Sequence, residues 1–163
     1  MKLYHGSNVS IETIDLKRGR KGKDFGQGFY LSADRNQAQM MAERTVDREE
    51  SGKATLTTFE FDESILKNPT TMKVKVFEDY SKEWAEFIMM NRKNKTDKQA
   101  HDYDIVYGPI ADDKVGLQIS RYQLQYIQME ELIRQLSFIH PTFQFFFGTM
   151  QAIRLLHKIE NDE

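Results

Sequence analysis

The chain has 163 residues, no cysteine and a formal net charge of −2, and 39% of its residues are hydrophobic. A chain of this length can bury one substantial core, so we predict a single domain over residues 1–163. The missing cysteines exclude disulfides and thiolate metal sites, and the balanced charge gives no overall attraction to nucleic acid or membrane. The four histidines show no HExxH or other close pairing, so we expect no metal. With no signal-peptide pattern or bilayer-spanning apolar run, we expect a soluble, cytoplasmic protein.

Runs of β-branched and aromatic residues predict short strands, and periodic apolar segments predict helices. The strands are predicted at residues 2–4, 28–31, 55–61, 72–77, 104–107 and 143–147, and the helices at 34–48, 81–90, 122–136 and 149–158. Ser32 or Asp34 is expected to cap the first helix. Trp84, Phe87 and Ile88 should share one face of the second helix. Strands mixed irregularly with helices favour the α+β class.

Two short segments carry candidate chemistry. The segment LYHGS, residues 3–7, ends an apolar strand with His5 and Gly6, where a glycine lets a ligand approach the main chain closely. The segment GQGFYL, residues 26–31, lacks the third glycine and the following helix of a dinucleotide-binding motif, and it lacks the P-loop lysine. Alone, the two segments have ordinary interpretations: a surface histidine at a strand end, and a tight turn that enters a strand.

Charged segments offer further candidates. Five basic residues lie between Lys17 and Lys23. This run is either a solvated loop or a flexible cover that supplies cations to a pyrophosphate or to a nucleic acid. Asp112 and Asp113 follow a predicted strand, where a helix N-cap and first-turn acid is the favoured interpretation.

Taken in chain order, these segments resemble the ADP-ribosyltransferase superfamily, in its diphtheria-toxin-like and poly(ADP-ribose) polymerase branch. Members of that branch carry a His-Gly pair on the first strand, then a G-x-G-aromatic-Tyr strand, and an acidic residue on a later strand. More narrowly, the chain is similar over nearly its full length to the bacterial DUF3990 family, through YHGS, FGQGFYLS, DYDIVYGPIADD and QFFFGTMQAIRLL. The resemblance implies an ADP-ribosyltransferase-like fold, in which two packed, mainly antiparallel sheets form an NAD cleft with peripheral helices.

The resemblance also assigns roles to single residues. His5 would hold the adenosine-side ribose 2′-OH of NAD, Gly6 would grip the nicotinamide carboxamide through its backbone, and the Tyr30 ring would stack on nicotinamide. Met41 stands where related members have a second stacking tyrosine, and a thioether can still contact a ring. The other residues that the resemblance places at the NAD site are Ser7, Arg20, Gly28 and Phe29.

The third catalytic position, after His5 and Tyr30, departs from the superfamily pattern. The segment that carries the catalytic glutamate in the polymerases is matched by FQFFFGT, where the residue is Gln144. A glutamine carbonyl can orient a ribose hydroxyl, but it brings no charge to a developing cation and cannot act as a general base. Gln118 is a weaker candidate for this position, and Glu160 is a candidate acid by number only.

The resemblance therefore implies a mono-ADP-ribosyltransferase that uses NAD to modify a protein or nucleic-acid acceptor and does not elongate chains. Two alternatives stay open: a catalytically inactive module that binds NAD or a partner, and an NAD glycohydrolase that passes ADP-ribose to water. The family's typical setting suggests a toxin or defence component with an antitoxin-like protein partner.

Overall fold

Short strands and helices alternate irregularly along the chain, as a computed structural model of residues 1–69 and 71–159 describes it. The strands are β1 (Lys2–Ser7), β2 (Phe29–Leu31), β3 (Thr55–Glu60), β4 (Val74–Val76), β5 (Ile105–Pro109), β6 (Phe143–Phe147) and β7 (His157–Ile159). The helices are α1 (Arg35–Glu49), α2 (Ser64–Lys67), α3 (Lys82–Lys93), α4 (Asp113–Gln123), α5 (Met129–Leu136) and α6 (Met150–Ile153), and a 3₁₀ turn spans Leu16–Arg18. The α+β class is as predicted. Within these described residues, no helix has the length and apolar character needed to cross a bilayer.

The strands form two sheets that pack face to face. One has the order β1-β3-β7 and is antiparallel, and the other has the order β2-β6-β5-β4, in which only the β4–β5 pair is parallel. Aromatic rings from the two sheets meet edge to face, with centroids 5.3 Å apart for Phe61 and Phe147 and 5.7 Å apart for Phe29 and Phe59. This geometry is favourable for aromatic pairs. We call this layer the inter-sheet core.

The second sheet has another apolar layer on its opposite face. Because side chains alternate along a strand, Tyr30 and Phe146 point away from the inter-sheet core. They pack with residues of α3, α4 and α5 and of neighbouring loops, among them Phe25, Trp84, Phe87, Ile88, Val115, Ile119, Leu132 and Leu136. The predicted shared face of α3 is therefore confirmed. We call this layer the helix-side core.

Acidic side chains cap two of the helices. Asp34 accepts hydrogen bonds from first-turn N–H groups of α1, so Asp34 rather than Ser32 is the cap. Asp112 accepts from the Val115 N–H at 3.0 Å and caps α4, and Asp113 is the acid of its first turn. Carboxylates near a helix N-terminus are stabilised by the helix dipole. The structural interpretation of Asp112 and Asp113 is thus confirmed.

Two predicted helices are wrong in extent. The segment 122–136 is interrupted by a turn in which Gln125 has a left-handed φ of 64°. The turn lets Ile119 of α4 and Leu132 of α5 both pack on the helix-side core. The segment 149–158 forms only the short α6, and β7 then pairs with β3. Long-range strand pairing has here overridden a helical apolar pattern.

Strand β1 and helix α1 pack at backbone distance. A Cβ atom on Gly6 would lie 1.9 Å from the carbonyl oxygen of Ala38 and 2.8 Å from the nitrogen of Ala42. Only glycine fits this contact, whatever else the position does. The close approach fixes α1 across the strand that carries His5.

Candidate functional site

Strands β1 and β2 join the two sheets at one residue pair and then separate. Tyr4 and Ser32 exchange two backbone hydrogen bonds, with N···O distances of 2.8 and 2.9 Å. Backbone groups of alternate residues point to the same side of an antiparallel strand. The N–H and C=O of Gly6 therefore point to the side on which Tyr4 bonds to β2, where the two strands have already parted. The gap between the strands presents a fixed main-chain donor and acceptor.

The His5 ring spans this gap. Its Nδ1 lies 2.7 Å from the Tyr30 carbonyl oxygen, and the ring stacks on Phe29 with centroids 4.2 Å apart. Because a carbonyl only accepts, Nδ1 carries the proton and Nε2 is left as an acceptor. Burial lowers the pKa of His5 from 6.5 to about 4, against the effect of the Tyr30 hydrogen bond and with a smaller lowering from the Lys23 charge. The imidazole is therefore neutral at physiological pH.

A cavity of about 550 Å³ opens at the gap. This volume falls within the usual range for small-molecule sites. The cavity is lined by every residue that the sequence placed at an NAD site: His5, Gly6, Ser7, Arg20, Gly28, Phe29, Tyr30, Met41 and Gln144. Gln118, the weaker candidate, lies on α4 and is not part of this lining. Glu160 lies outside the described residues.

Tyr30 is held rigidly at the cavity wall. Its hydroxyl donates to the Gly26 carbonyl at 2.6 Å and accepts from the Phe25 N–H at 3.0 Å. Burial is the main cause that raises the pKa of Tyr30 well above 10. The ring meets Phe146 edge-on, with centroids 5.3 Å apart. The hydroxyl is thus neutral and already hydrogen-bonded, and Tyr30 lines the cavity although it is only 8% exposed.

Gln144 reaches the cavity from β6. It pairs with Gly108 of β5 and is 6% exposed, on the same side of β6 as Phe146. Phe146 is the register partner of Tyr30, so Gln144 lies two positions along β6 from the tyrosine. Its amide offers an acceptor oxygen and two donor hydrogens to a ligand, and no charge.

The cavity is predominantly cationic on the side of the basic loop. Arg18, Arg20 and Lys23 line it from the loop, and Arg48 lines it from the end of α1. Burial is the main cause that lowers the pKa of Lys23; Asp24 opposes the shift, while Arg20 and Arg48 add to it. In residues 1–69 and 71–159 no group of three or more His, Cys, Asp or Glu side chains is arranged to hold a metal ion. The charge of this side suits an anionic ligand.

The sequence reasoning missed Arg48, although a signal for it was present. Ala38, Met41, Thr45 and Arg48 all line the cavity, and their spacings of three, four and three residues place them on one face of α1. If Met41 lies at the wall of a pocket, helical periodicity predicts that Thr45 and Arg48 line the same pocket.

The basic loop is tied to the start of β2. Gln27 donates through Nε2 to the carbonyl oxygens of Gly19, at 2.7 Å, and Lys17, at 3.1 Å. Lys21 forms an ion pair with Asp97. The loop is therefore ordered by contacts at its base while its arginines line the cavity.

Comparison with curated proteins and with solved structures found no match to this chain. The sequence profile of one family, described as "Protein of unknown function (DUF3990)", matches residues 1–158. The matched region contains every residue that lines the cavity. The chain therefore belongs to the DUF3990 family, as its motifs predicted.

Proposed function

We propose that this protein is a mono-ADP-ribosyltransferase that moves ADP-ribose from NAD to a protein or nucleic-acid acceptor. The observation that carries the proposal is the shared cavity. The nine residues chosen by resemblance come from β1, the basic loop, β2 and the residue before it, α1 and β6, and all of them line the cavity. Two packed sheets that part between β1 and β2 also suit the NAD cleft of an ADP-ribosyltransferase-like fold.

The nicotinamide end of NAD would lie in the gap between the two strands. The N–H of Gly6 would donate to the carboxamide oxygen, and its C=O would accept from the carboxamide nitrogen. A planar amide suits such a fixed donor–acceptor pair because both bonds form without moving the main chain. The Tyr30 ring would stack on the pyridine ring, with Met41 as a softer second contact.

The rest of the dinucleotide would meet acceptors and cations. His5 is neutral and has Nε2 left to accept a hydrogen bond from the adenosine-side ribose hydroxyl. Arg20 and Arg48 provide guanidinium groups, which recognise phosphate oxygens in a bidentate manner. We assign the pyrophosphate to this cationic side.

The transfer step requires one bond to break and one to form at the same carbon. The bond from ribose C1 to the nicotinamide nitrogen breaks, and its electron pair leaves with nicotinamide. A nucleophile on the acceptor then bonds to C1 and releases its proton to solvent. Gln144 Oε1 would accept from the neighbouring 2′-OH and orient the sugar, but it supplies neither a charge nor a base. The acceptor must therefore provide part of its own activation, and the resemblance to superfamily members that lack the glutamate implies single transfers.

The amide at position 144 also favours a second candidate, a module that binds NAD and does not transfer it. Such a module would keep the main-chain contacts of Gly6 and the ring of Tyr30. It would forfeit the charge-assisted stabilisation of the transition state that a carboxylate provides.

Nicotinamide release from NAD, measured with and without cell lysate, tests these assignments. Tyr30→Ala is a poor probe because it would remove a ring from the helix-side core, at about 3–5 kcal/mol. We use Gln144→Met instead, with Gln118→Met on α4 as the matched control. The transferase is supported if nicotinamide release needs lysate, is accompanied by labelling of a macromolecule with ADP-ribose, and is lost in Gln144→Met but not in Gln118→Met. Unlabelled ADP-ribose points to the glycohydrolase, and binding without release points to the module. A wild-type protein that does not bind NAD contradicts the proposal.

The variant Gln144→Glu restores the charge that the superfamily uses. NAD affinity should stay within about threefold, since the oxygen acceptor is retained, while nicotinamide release should rise by about 10² or more. A collapse of NAD binding would show that the third catalytic position is misplaced.

A further inference from the structure

Lys23 lies over the ring of Tyr30, on which nicotinamide would stack in the proposed function. Its Nζ is 4.2 Å from the Tyr30 ring centroid, and both residues line the cavity. Phe25 packs nearly parallel to the ring, at 6.1 Å between centroids, and Phe146 packs against it edge-on. The ammonium group therefore covers part of a ring that is otherwise packed among aromatic side chains. A ligand ring cannot stack there until Lys23 moves.

The surroundings of Lys23 favour a movement of its ammonium group towards an anionic ligand. The neighbouring carboxylate of Asp24 already accepts from Arg92, at 2.7 Å, and from the Ala111 N–H, at 2.8 Å. Arg20 and Arg48 lie near enough to repel the ammonium. A partly buried cation among other cations gains most from an anion. Phosphate oxygens on the cationic side of the cavity would supply it.

We propose that Lys23 determines ligand selectivity, by covering Tyr30 until phosphate groups draw the ammonium away. This inference rests on the proposed NAD site. Such a Lys23 would make the cavity favour a dinucleotide, which carries both the ring and the phosphates. An isolated planar carboxamide would bind less well, because it must displace Lys23 without supplying a phosphate in return.

Nicotinamide and ADP-ribose, the two halves of NAD, test separately the contact of Lys23 with the Tyr30 ring and its proposed contact with phosphate. In Lys23→Met, nicotinamide should bind about fivefold more tightly because the competing cation is gone, and ADP-ribose about tenfold more weakly because a phosphate contact is gone. Lys21→Met, which removes an exposed lysine of the same loop, should change both affinities by less than about twofold. Calorimetric titration measures the dissociation constants of both ligands for the wild-type protein and the two variants, after thermal melting has checked that the variants are folded.

A measurement on the wild-type protein needs no variant. Added inorganic pyrophosphate should tighten nicotinamide binding, since it draws Lys23 from the ring, and the coupling must be equal when the two ligands are exchanged. The inference is overturned, with the NAD site left intact, if pyrophosphate does not change the affinity for nicotinamide. It is also overturned if Lys23→Met changes the affinities for nicotinamide and ADP-ribose in the same direction or changes neither. Failure of wild-type protein to bind NAD and ADP-ribose overturns the site and the inference together.

Discussion

The two sides of the cavity are built in different ways. The main-chain wall, residues 4–7 of β1 and 28–32 around β2, consists of strand backbone held by ladders and by glycine contacts. The cationic side consists of the long side chains of Arg18, Arg20 and Lys23, from a loop tied to β2 at its base, and of Arg48, from the end of α1. The wall can fix a planar group in one orientation. The cationic side can adapt to flexible phosphates because its charges are carried on rotatable chains.

The contrast teaches that shape and charge are separable in this cavity. A substitution on the main-chain wall should act through folding, because the same atoms that face the ligand also hold the sheets together. A substitution on the cationic side should act through ligand binding, with a small effect on stability. The following predictions test that division, beginning with the largest expected effect.

The variant Gly6→Ala should destabilise the main-chain wall most. Its Cβ would lie 1.9 Å from the Ala38 carbonyl oxygen, so α1 must shift away from β1. We expect a loss of more than about 3 kcal/mol in the free energy of unfolding, measured by denaturant titration. Gly116→Ala is the control, because its Cβ would meet only Arg92, at 3.7 Å, within a helix. That change should stabilise by up to about 1 kcal/mol; equal effects of the two changes would refute the packing argument.

The variant Tyr30→Phe keeps the ring and removes the hydroxyl. The Gly26 carbonyl and the Phe25 N–H then lose their buried partner, at a cost of about 2 kcal/mol of unfolding free energy. NAD affinity should change by less than about twofold because stacking needs only the ring. Tyr126→Phe, at a side chain that is 76% exposed, is the control for loss of a hydroxyl. A large fall in NAD affinity with unchanged stability would show that the hydroxyl contacts the ligand.

The pH dependence of stability should reveal the buried imidazole. The pKa of His5 is lowered from 6.5 to about 4, so the unfolded chain binds its proton more readily between these values. The stability that His5 contributes is present above pH 6.5 and is lost as the pH falls towards 4. From pH 6.5 to 5 the loss should be about 1.5 kcal/mol, and His5→Gln should lack this component. His140→Gln controls for removal of an exposed imidazole; identical curves for wild type and His5→Gln would contradict the burial of His5.

The smallest effect is expected on the cationic side. Gln27→Ala removes the bonds from Nε2 to the carbonyls of Gly19 and Lys17, and should cost about 1 kcal/mol or less because the site is partly exposed. Hydrogen exchange within residues 17–23 should nevertheless accelerate, since the loop loses its anchor. Gln39→Ala, which removes an amide that donates to Glu43 on the same helix, should leave that exchange unchanged. A global loss of protection would mean that the loop is part of the core.

Local sequence signals predicted much of the fold. The run TLTTFEF marks β3 because β-branched and aromatic residues suit a pleated, half-buried surface. Helix α1 begins after Asp34, one of the two residues predicted to cap it, and α3 begins after Ser81, within one residue of its predicted start. The elements found in this way differ from the predictions by a few residues at their ends.

Long-range contacts account for what the sequence did not reveal. The turn after α4 contains neither glycine nor proline, so nothing local marks the left-handed residue Gln125. Strand β7 follows a helix-like apolar spacing, and its partner Thr58 lies about a hundred residues earlier along the chain, opposite Ile159. Neither feature can be predicted from the short stretches of sequence in which apolar periodicity indicates helices and strands.

The candidate site divides in the same manner. The motifs pointed to His5, Gly6, Tyr30 and Gln144, and these residues line one cavity. That Gly6 is also required by its packing on α1, and that Lys23 covers the Tyr30 ring, follow only from tertiary geometry.

The pairing of β2 with β6 has a consequence for how the protein is made. These strands, Phe29–Leu31 and Phe143–Phe147, are hydrogen-bonded neighbours although most of the chain lies between them. A nascent chain leaves the ribosome from its N-terminus, so the residues of β1 and β2 emerge long before β6 can join them. The cavity therefore cannot close during most of synthesis. Until β6 has been translated, the cavity lacks Gln144, and β2 lacks its strand partner.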